Sequence, residues 1–434
     1  MSKFQIVLLV VFGVFIVVAV ILFSRNRGGS LQGVNLTIWG TLSAYDFNNL
    51  LATSGIEAEG AVTLDYVEKS PSTLSTEFTE ALAVGRGPDL IILPVENLLK
   101  EKNKLLLIPN ESVRPADFVS TFIKEGELFE TSLGTYALPM YVDPMVMYWN
   151  RDILTKASLA VPPVYWDQIY TYITKLNVRD GAGNITQTAM ALGEAKNIPH
   201  VKEIMSLLML QAGTPVVSYV GDTLRSVVLE SNGSAQTPSL AALEFYTQFA
   251  NPQKTYYSWN RSLTEAPTNF TSGKSAMYLG FASELPLLKA KNPTMDIAVS
   301  PVPQSRASNK SLTFGKLYGV AITRGAKNVG AALDGALALV SKNASQTLSS
   351  ATPLIPARRD LLSEPPTDPF GFTFYGAALQ SAGWLDPDPI KTSKLFVDMV
   401  ESVTSGRSRV DVAVGTLNTA LNALLDSLKS SQTQ

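Results

Sequence analysis

Ala83-Val84-Gly85-Arg86-Gly87-Pro88-Asp89-Leu90-Ile91-Ile92-Leu93 changes periodicity within a few residues, and that change decides the fold class. Upstream of it, Ser72 to Val84 sets Leu74, Phe78, Ala81 and Leu82 on one helical face, the spacing of a helix packed on a core. Gly85 stands where a helix C-terminus favours left-handed backbone. Asp89 then opens a short apolar strand that runs to Leu93 and stops at Pro94. Further out, Val34, Leu36 and Ile38 alternate with Asn35 and Thr37 in a strand ending at Trp39, before Gly40. After the loop Thr41 to Tyr45, Asp46 is placed to cap a helix carrying Leu50 and Leu51, and Val62 to Val67 alternates again. This β-α-β-α-β order predicts an α/β unit with a mostly parallel sheet covered on both faces.

The later chain is richer in helices. They are predicted at Trp166–Lys175, His200–Gln211, Leu240–Phe249, Leu333–Ser341 and Val410–Leu428. In the last, Val414, Leu417, Leu421 and Leu424 recur at core spacing.

Composition removes whole classes of chemistry. With 46% apolar and 17% charged residues, the 434-residue chain has the material for a large core. Its 35 basic and 37 acidic residues lack the positive excess of a nucleic-acid binder. The absence of cysteine excludes disulfides, thiol nucleophiles and Cys-type metal sites. The single histidine, His200, has no Cys or His partner and reads as a surface residue at a helix start. Gly85-Arg86-Gly87-Pro88 lacks the third glycine of a dinucleotide fingerprint and precedes a strand rather than a helix. No cofactor and no metal are expected.

Ile6 to Phe23 is an unbroken apolar run flanked by Lys3 and by Arg25 and Arg27, about 27 Å long as a helix. Bulky Val20, Ile21, Leu22 and Phe23 occupy the place of a small-residue cleavage site, so the run reads as an uncleaved anchor, with a cleaved signal peptide as the alternative. Residues 1–27 then form a membrane anchor meeting the bilayer through residues 4–23, and 28–33 a linker. The mildly acidic remainder lies outside the cell membrane, extracellular or periplasmic.

Several motifs, in order, resemble the extracellular solute-binding proteins of ABC importers, the family that includes the maltose-binding protein. They are Leu36-Thr37-Ile38-Trp39, the Gly85–Ile92 stretch, Leu138-Pro139-Met140-Tyr141-Val142-Asp143 with Met147–Asp152, Pro162-Pro163 with Trp166-Asp167, Asn269–Leu279, and Lys316–Ile322. The resemblance covers Val34 to the C-terminus. It implies a two-lobed periplasmic-binding-protein-like α/β fold with an interlobe ligand cleft, which the apolar run at Ile6 to Phe23 would precede as one N-terminal transmembrane helix. Lobe 1 would take residues 34–142 and 301–352, and lobe 2 residues 143–300 and 353–434. It further implies a monomer that captures a small polar ligand, a sugar or oligosaccharide, by hinge closure and passes it to an ABC permease. A polyamine receptor and an anchored sensor or adhesion module are the alternatives, and a glycosidase is disfavoured.

Ligands of open α/β sheets bind beyond the carboxyl ends of the strands. Thr41 and Ser43 lie in the loop after the first strand, and Glu96 and Asn97 follow Pro94. Glu96 matches a sugar-contacting carboxylate of the family, whereas Asn97 replaces its arginine. Asp143, at the crossover, would accept vicinal hydroxyls at two oxygens, with Tyr141 lining the same cleft. Trp259, Trp384 and Tyr375 are candidate stacking rings in lobe 2, while Trp39, Trp149 and Trp166 read as core. Where sugar binders of the family carry a stacking tryptophan, this chain has Gly280-Phe281-Ala282-Ser283, so either Phe281 substitutes or the site differs from a maltose-like one, with Ser283 a further candidate contact. Tyr165 replaces the family's helix-capping threonine, at a local cost of about 1 kcal/mol.

Overall fold

The computed structural model describes residues 33–56, 62–231, 233, 236–306, 308 and 310–430. The anchor and all of the linker but Gly33 lie outside the described residues. Among those described, no helix is long and apolar enough to cross a membrane.

Strand β1 (Val34–Gly40) pairs in parallel with β2 (Val62–Glu68) on one side and β3 (Leu90–Pro94) on the other. Helix α1 (Ala44–Ser54) is capped by Ser43 rather than Asp46: the Ser43 hydroxyl accepts from the Asp46 amide at 3.0 Å and donates to its carboxylate at 2.7 Å. Helix α2 (Leu74–Ala83) ends as its sequence implies. Gly85 adopts φ +68°, its amide donates to the Leu82 carbonyl at 3.1 Å, and the Arg86 amide reaches back to Ala81 at 2.8 Å. Asp89 fixes the start of β3 by accepting from the Thr37 and Lys327 amides at 2.9 and 3.1 Å. Leu90, Ile91, Ile92 and Leu93 are buried, each worth about 1.5–3 kcal/mol of apolar transfer.

The sheet does not stay parallel. Strand β4 (Leu138–Asn150) has 13 residues and, at about 3.4 Å each, is long enough to serve two halves of the sheet. In the second half, β5 (Ile185–Met190) runs parallel to β6 (Ser275–Phe281), which is antiparallel to the last part of β4. The end of β4 also pairs with β7 (Ile297–Ser300). In the first half, β8 (Thr313–Ile322) is antiparallel to both β3 and the first part of β4. The reason is topological. A parallel neighbour needs a crossover that returns on the same side, whereas β8 returns from the second half and enters running the other way.

Two short strands complete the junction. β9 (Ile355–Pro356) pairs with Val142 and Tyr141, and β10 (Ser381–Ala382) runs parallel to Thr313 and Phe314. Arg359 donates to the Phe122 carbonyl, so residues just after β9 stay with the first half.

Helices α3 (Val201–Gln211), α4 (Pro389–Thr404) and α5 (Val410–Ser430) pack together in the second half. The buried stripe of α5 is Val414, Leu417, Leu421 and Leu425; the expected Leu424 lies one position off it. The other expected helices appear with shifted ends, at Ile169–Leu176, Pro238–Thr247 and Val329–Leu339. At Tyr165 the missing threonine cap is compensated: the Gln168 side chain accepts from the Val164 and Tyr165 amides at 2.8 and 3.0 Å.

Candidate functional site

The carboxyl ends of β1 and β3 and the start of α2 face the first turns of α3 and α4 across a cleft. Thr41, Ser72, Thr76, Glu96 and Asn97 line one wall, and Lys202, Glu203, Ile390 and Ser393 the other. The cleft contains ≈ 1390 Å³ of empty space, part of it open to solvent. Adjoining it is a smaller space, with ≈ 270 Å³ empty and part of that open to solvent, walled by Glu96, Lys202, Gly315, Gly383, Trp384 and Asp386.

Lys202 organises this region. Its ammonium lies 2.9 Å from the Asp386 carboxylate, 3.5 Å from Glu96 on the opposite wall, and 5.9 Å from the centre of the Trp384 ring. A cation in the first turn of a helix opposes the helix dipole, and this side chain is only 4% exposed. Burial would pull its pKa down, but the carboxylates of Glu96, Asp386 and Glu203 outweigh burial and hold it above the ordinary lysine value. Asp386 also accepts from the Thr392 hydroxyl and the Asp388 amide.

A second ionic group lies where the halves meet. Asp143 on β4 and Lys316 on β8 are register partners, and Lys316 reaches Glu203 at 3.6 Å. Asp143 accepts from the Ser283 amide and hydroxyl at 2.9 and 2.6 Å. Burial raises its pKa, against the pull of those two bonds and of Lys316.

This combination of a sheet spanning two halves and a polar cleft between them has known counterparts. A sequence model described as bacterial extracellular solute-binding protein matches residues 52–369. The chain belongs to this family. Solved solute-binding proteins share the fold at low identity. The cyclic α-maltosyl-1,6-maltose binding protein from Arthrobacter globiformis is 15% identical, with a TM-score of 0.74 over 91% of this chain and 100% of that one. A cyclo/maltodextrin-binding protein complexed with maltotetraose is 16% identical, with a TM-score of 0.71 over 92% and 97%. The GacH receptor of Streptomyces glaucescens, solved unliganded and with acarbose, is 18% identical, with a TM-score of 0.68 over 91% and 99%. The architecture is therefore the periplasmic-binding-protein fold of the maltodextrin binders. Among curated proteins, a binding protein of Brucella abortus is 27% identical over 128 residues, 29% of this chain and 31% of that protein. The match thus spans about a third of the curated relative's length.

Within this solute-binding protein the residues singled out from sequence fall into three groups. Thr41, Glu96 and Asn97 line the cleft, and Trp384 lines the smaller space adjoining it. Tyr141, Asp143, Phe281 and Ser283 belong to the junction: Tyr141 stacks on Tyr318 at 4.5 Å, and Phe281 lies under the Lys316 ammonium at 4.2 Å. Ser43, Trp259 and Tyr375 sit elsewhere. Ser43 is a helix cap, Trp259 is fully buried with its indole N–H on Asn197 at 2.9 Å, and Tyr375 packs into the core. A fully buried ring has no face to offer a solute.

Lys202, Glu203, Lys316, Asp386 and Tyr318 were missed. One signal for them was present: Lys202 and Glu203 are charges at the head of a helix that continues Ile204-Met205-Ser206-Leu207-Leu208-Met209-Leu210. His200, read as a surface residue, is half-buried, its Nε2 2.9 Å from Glu284.

Proposed function

We propose that this chain captures a small, uncharged, polyhydroxylated solute, a sugar or oligosaccharide, in the cleft between two lobes and presents it to an ABC permease. The lobes correspond to the two halves of the sheet, with β4, β8 and the segment around β10 as the crossings. Residues 1–27 tether the protein to the membrane, with the binding unit outside.

The observation that carries this reading is the charge pairing of the cleft. Glu96 and Asp386 share Lys202, Glu203 faces Lys316, and Asp143 is held by Ser283. Lys100, Lys202 and Lys394 outnumber Glu96 and Glu203 along the cleft, a balance unsuited to a polyamine, and Thr41, Ser72, Thr76, Ser393 and Asn97 supply neutral donors and acceptors along the walls. Asp143 is taken up by the Ser283 amide and hydroxyl, so it is not free to act as the acid or base that a glycosidase needs. Structural neighbours solved with maltotetraose and with mannotriose favour the sugar class.

Isothermal calorimetry of residues 30–434 against maltotriose, maltotetraose, mannobiose, mannotriose and spermidine tests the reading. Micromolar heat with at least one oligosaccharide and none with spermidine is expected. Binding of spermidine alone would replace the sugar reading with a cationic one, and silence with every compound would remove the transport role.

A further inference from the structure

Glu125 lies in the helical turn Lys124–Phe129, where the two halves of the sheet meet. Its carboxyl fits between Gly315 of β8 and Gly383, the residue after β10. A Cβ on Gly383 would come within 2.6 Å of Glu125 Oε1, and one on Gly315 would overlap Oε2. The side chain is 3% exposed, and neither oxygen has a hydrogen-bond partner among the described residues. Gly315 and Gly383 also wall the smaller space that Lys202 lines. A carboxyl without a donor is tolerated in such a place when neutral and strongly disfavoured when ionised.

We propose that Glu125 is a proton-operated gate on closure of the cleft. Neutral, it lets its turn pack against the two crossing segments. Ionised, it requires water, which reaches it through the space walled by Gly315 and Gly383 when the two halves swing apart about those paired segments. The proposal rests on the reading of the cleft as one that opens and closes around a solute.

The surrounding charges leave the ionised form uncompensated. Glu96 adds a negative potential; Lys316, beside Gly315, is engaged with Glu203; and Asp386, beyond Gly383, is engaged with Lys202. On its own turn, Lys124 and Glu127 pair at the surface at 3.5 Å. The Ser381 hydroxyl lies close enough to favour ionisation, but its proton goes to the Ala378 carbonyl at 2.9 Å. Burial, opposed by Ser381 and reinforced by Glu96, pushes Glu125 up from 4.5 to about 7. In an open, hydrated state the group returns toward 4.5, so closing takes up a proton. Closure is then strongest below about 4.5, weakens as pH rises to about 7, and is constant above that.

The chain has no cysteine, so spin labels can be placed cleanly on opposite rims by Tyr45→Cys and Ile390→Cys, at positions 80% and 73% exposed. Pulsed electron-spin distances are measured at pH 5 and pH 8 in the full chain. The closed-to-open ratio is expected to fall at least tenfold between them, and Glu125→Gln is expected to abolish the change. Glu125→Leu, also uncharged, serves as the second variant if the first does not fold. A pH response that is absent in the parent, or that persists in either folded variant, overturns the gate. Distances that respond to maltotriose but not to pH overturn the gate while leaving the solute reading intact; distances fixed under every condition overturn both.

Discussion

The Lys202 ammonium lies 2.9 Å from the Asp386 carboxylate, tying the first turn of α3 to the segment that leads into α4 across 184 residues of sequence. Both groups are almost fully buried; Lys202 is the main compensation of Asp386 for lost water, and Glu96 and Asp386 together compensate Lys202. Lys202→Met should therefore cost about 3–5 kcal/mol, because Asp386 is left charged and dry. Lys202→Met with Asp386→Leu should recover most of that loss. Urea unfolding of the two single variants and the double variant measures it; a single-variant cost under about 1 kcal/mol would show that the pair does not anchor this wall.

The bond between Asp143 and Ser283 joins β4 to the turn after β6, so its strength bears on how firmly the junction is held. Asp143→Asn and Ser283→Ala should each destabilise by about 1–3 kcal/mol, and the double variant by much less than their sum. Additive losses in the unfolding cycle would mean that the two side chains act independently.

Glu125 also predicts how global stability depends on pH. The group titrates near 4.5 when unfolded and at about 7 in the fold. Because the folded state holds the proton longer, its contribution is complete below about 4.5 and is lost as pH rises to about 7. With the cleft closed throughout, about 1.4 kcal/mol per pH unit over about 2.5 units makes the loss about 3.5 kcal/mol, and opening of the cleft reduces it. Thermal melts at half-unit steps should show this fall in the parent and a flatter profile in Glu125→Gln. Parallel profiles would assign the pH dependence to other groups.

The fold was legible where local physics decides. The left-handed Gly85 and the buried run Leu90–Leu93 can both be read from a few neighbouring residues. The direction of β8 could not be, because it depends on a return from the other half. The site divided the same way. Glu96 and Asn97 follow directly from the end of β3, but the ion-pair partner of Glu96 is Lys202, far along the chain. Trp259 looked like a loop aromatic because nothing near it in sequence reveals that Asn197 receives its indole N–H inside the core.

His200 adds strain next to the site. At φ +63° it occupies the left-handed region immediately before α3, where a side chain costs about 1–2 kcal/mol. Its contact with Glu284 at 2.9 Å and its edge-on packing against Phe281 at 4.9 Å offset that cost. Glu284 is itself fixed by the Tyr278 hydroxyl at 2.7 Å and the Phe281 amide at 2.8 Å. His200→Ala keeps the strained backbone and loses the anchor, whereas His200→Gly loses the anchor and relieves the backbone. The alanine variant should be the less stable of the two by about 1 kcal/mol in thermal melts, the reverse of their helix propensities. If alanine proves more stable, the turn relaxes out of the left-handed region once the ring is gone, and Lys202 is positioned by its carboxylates alone.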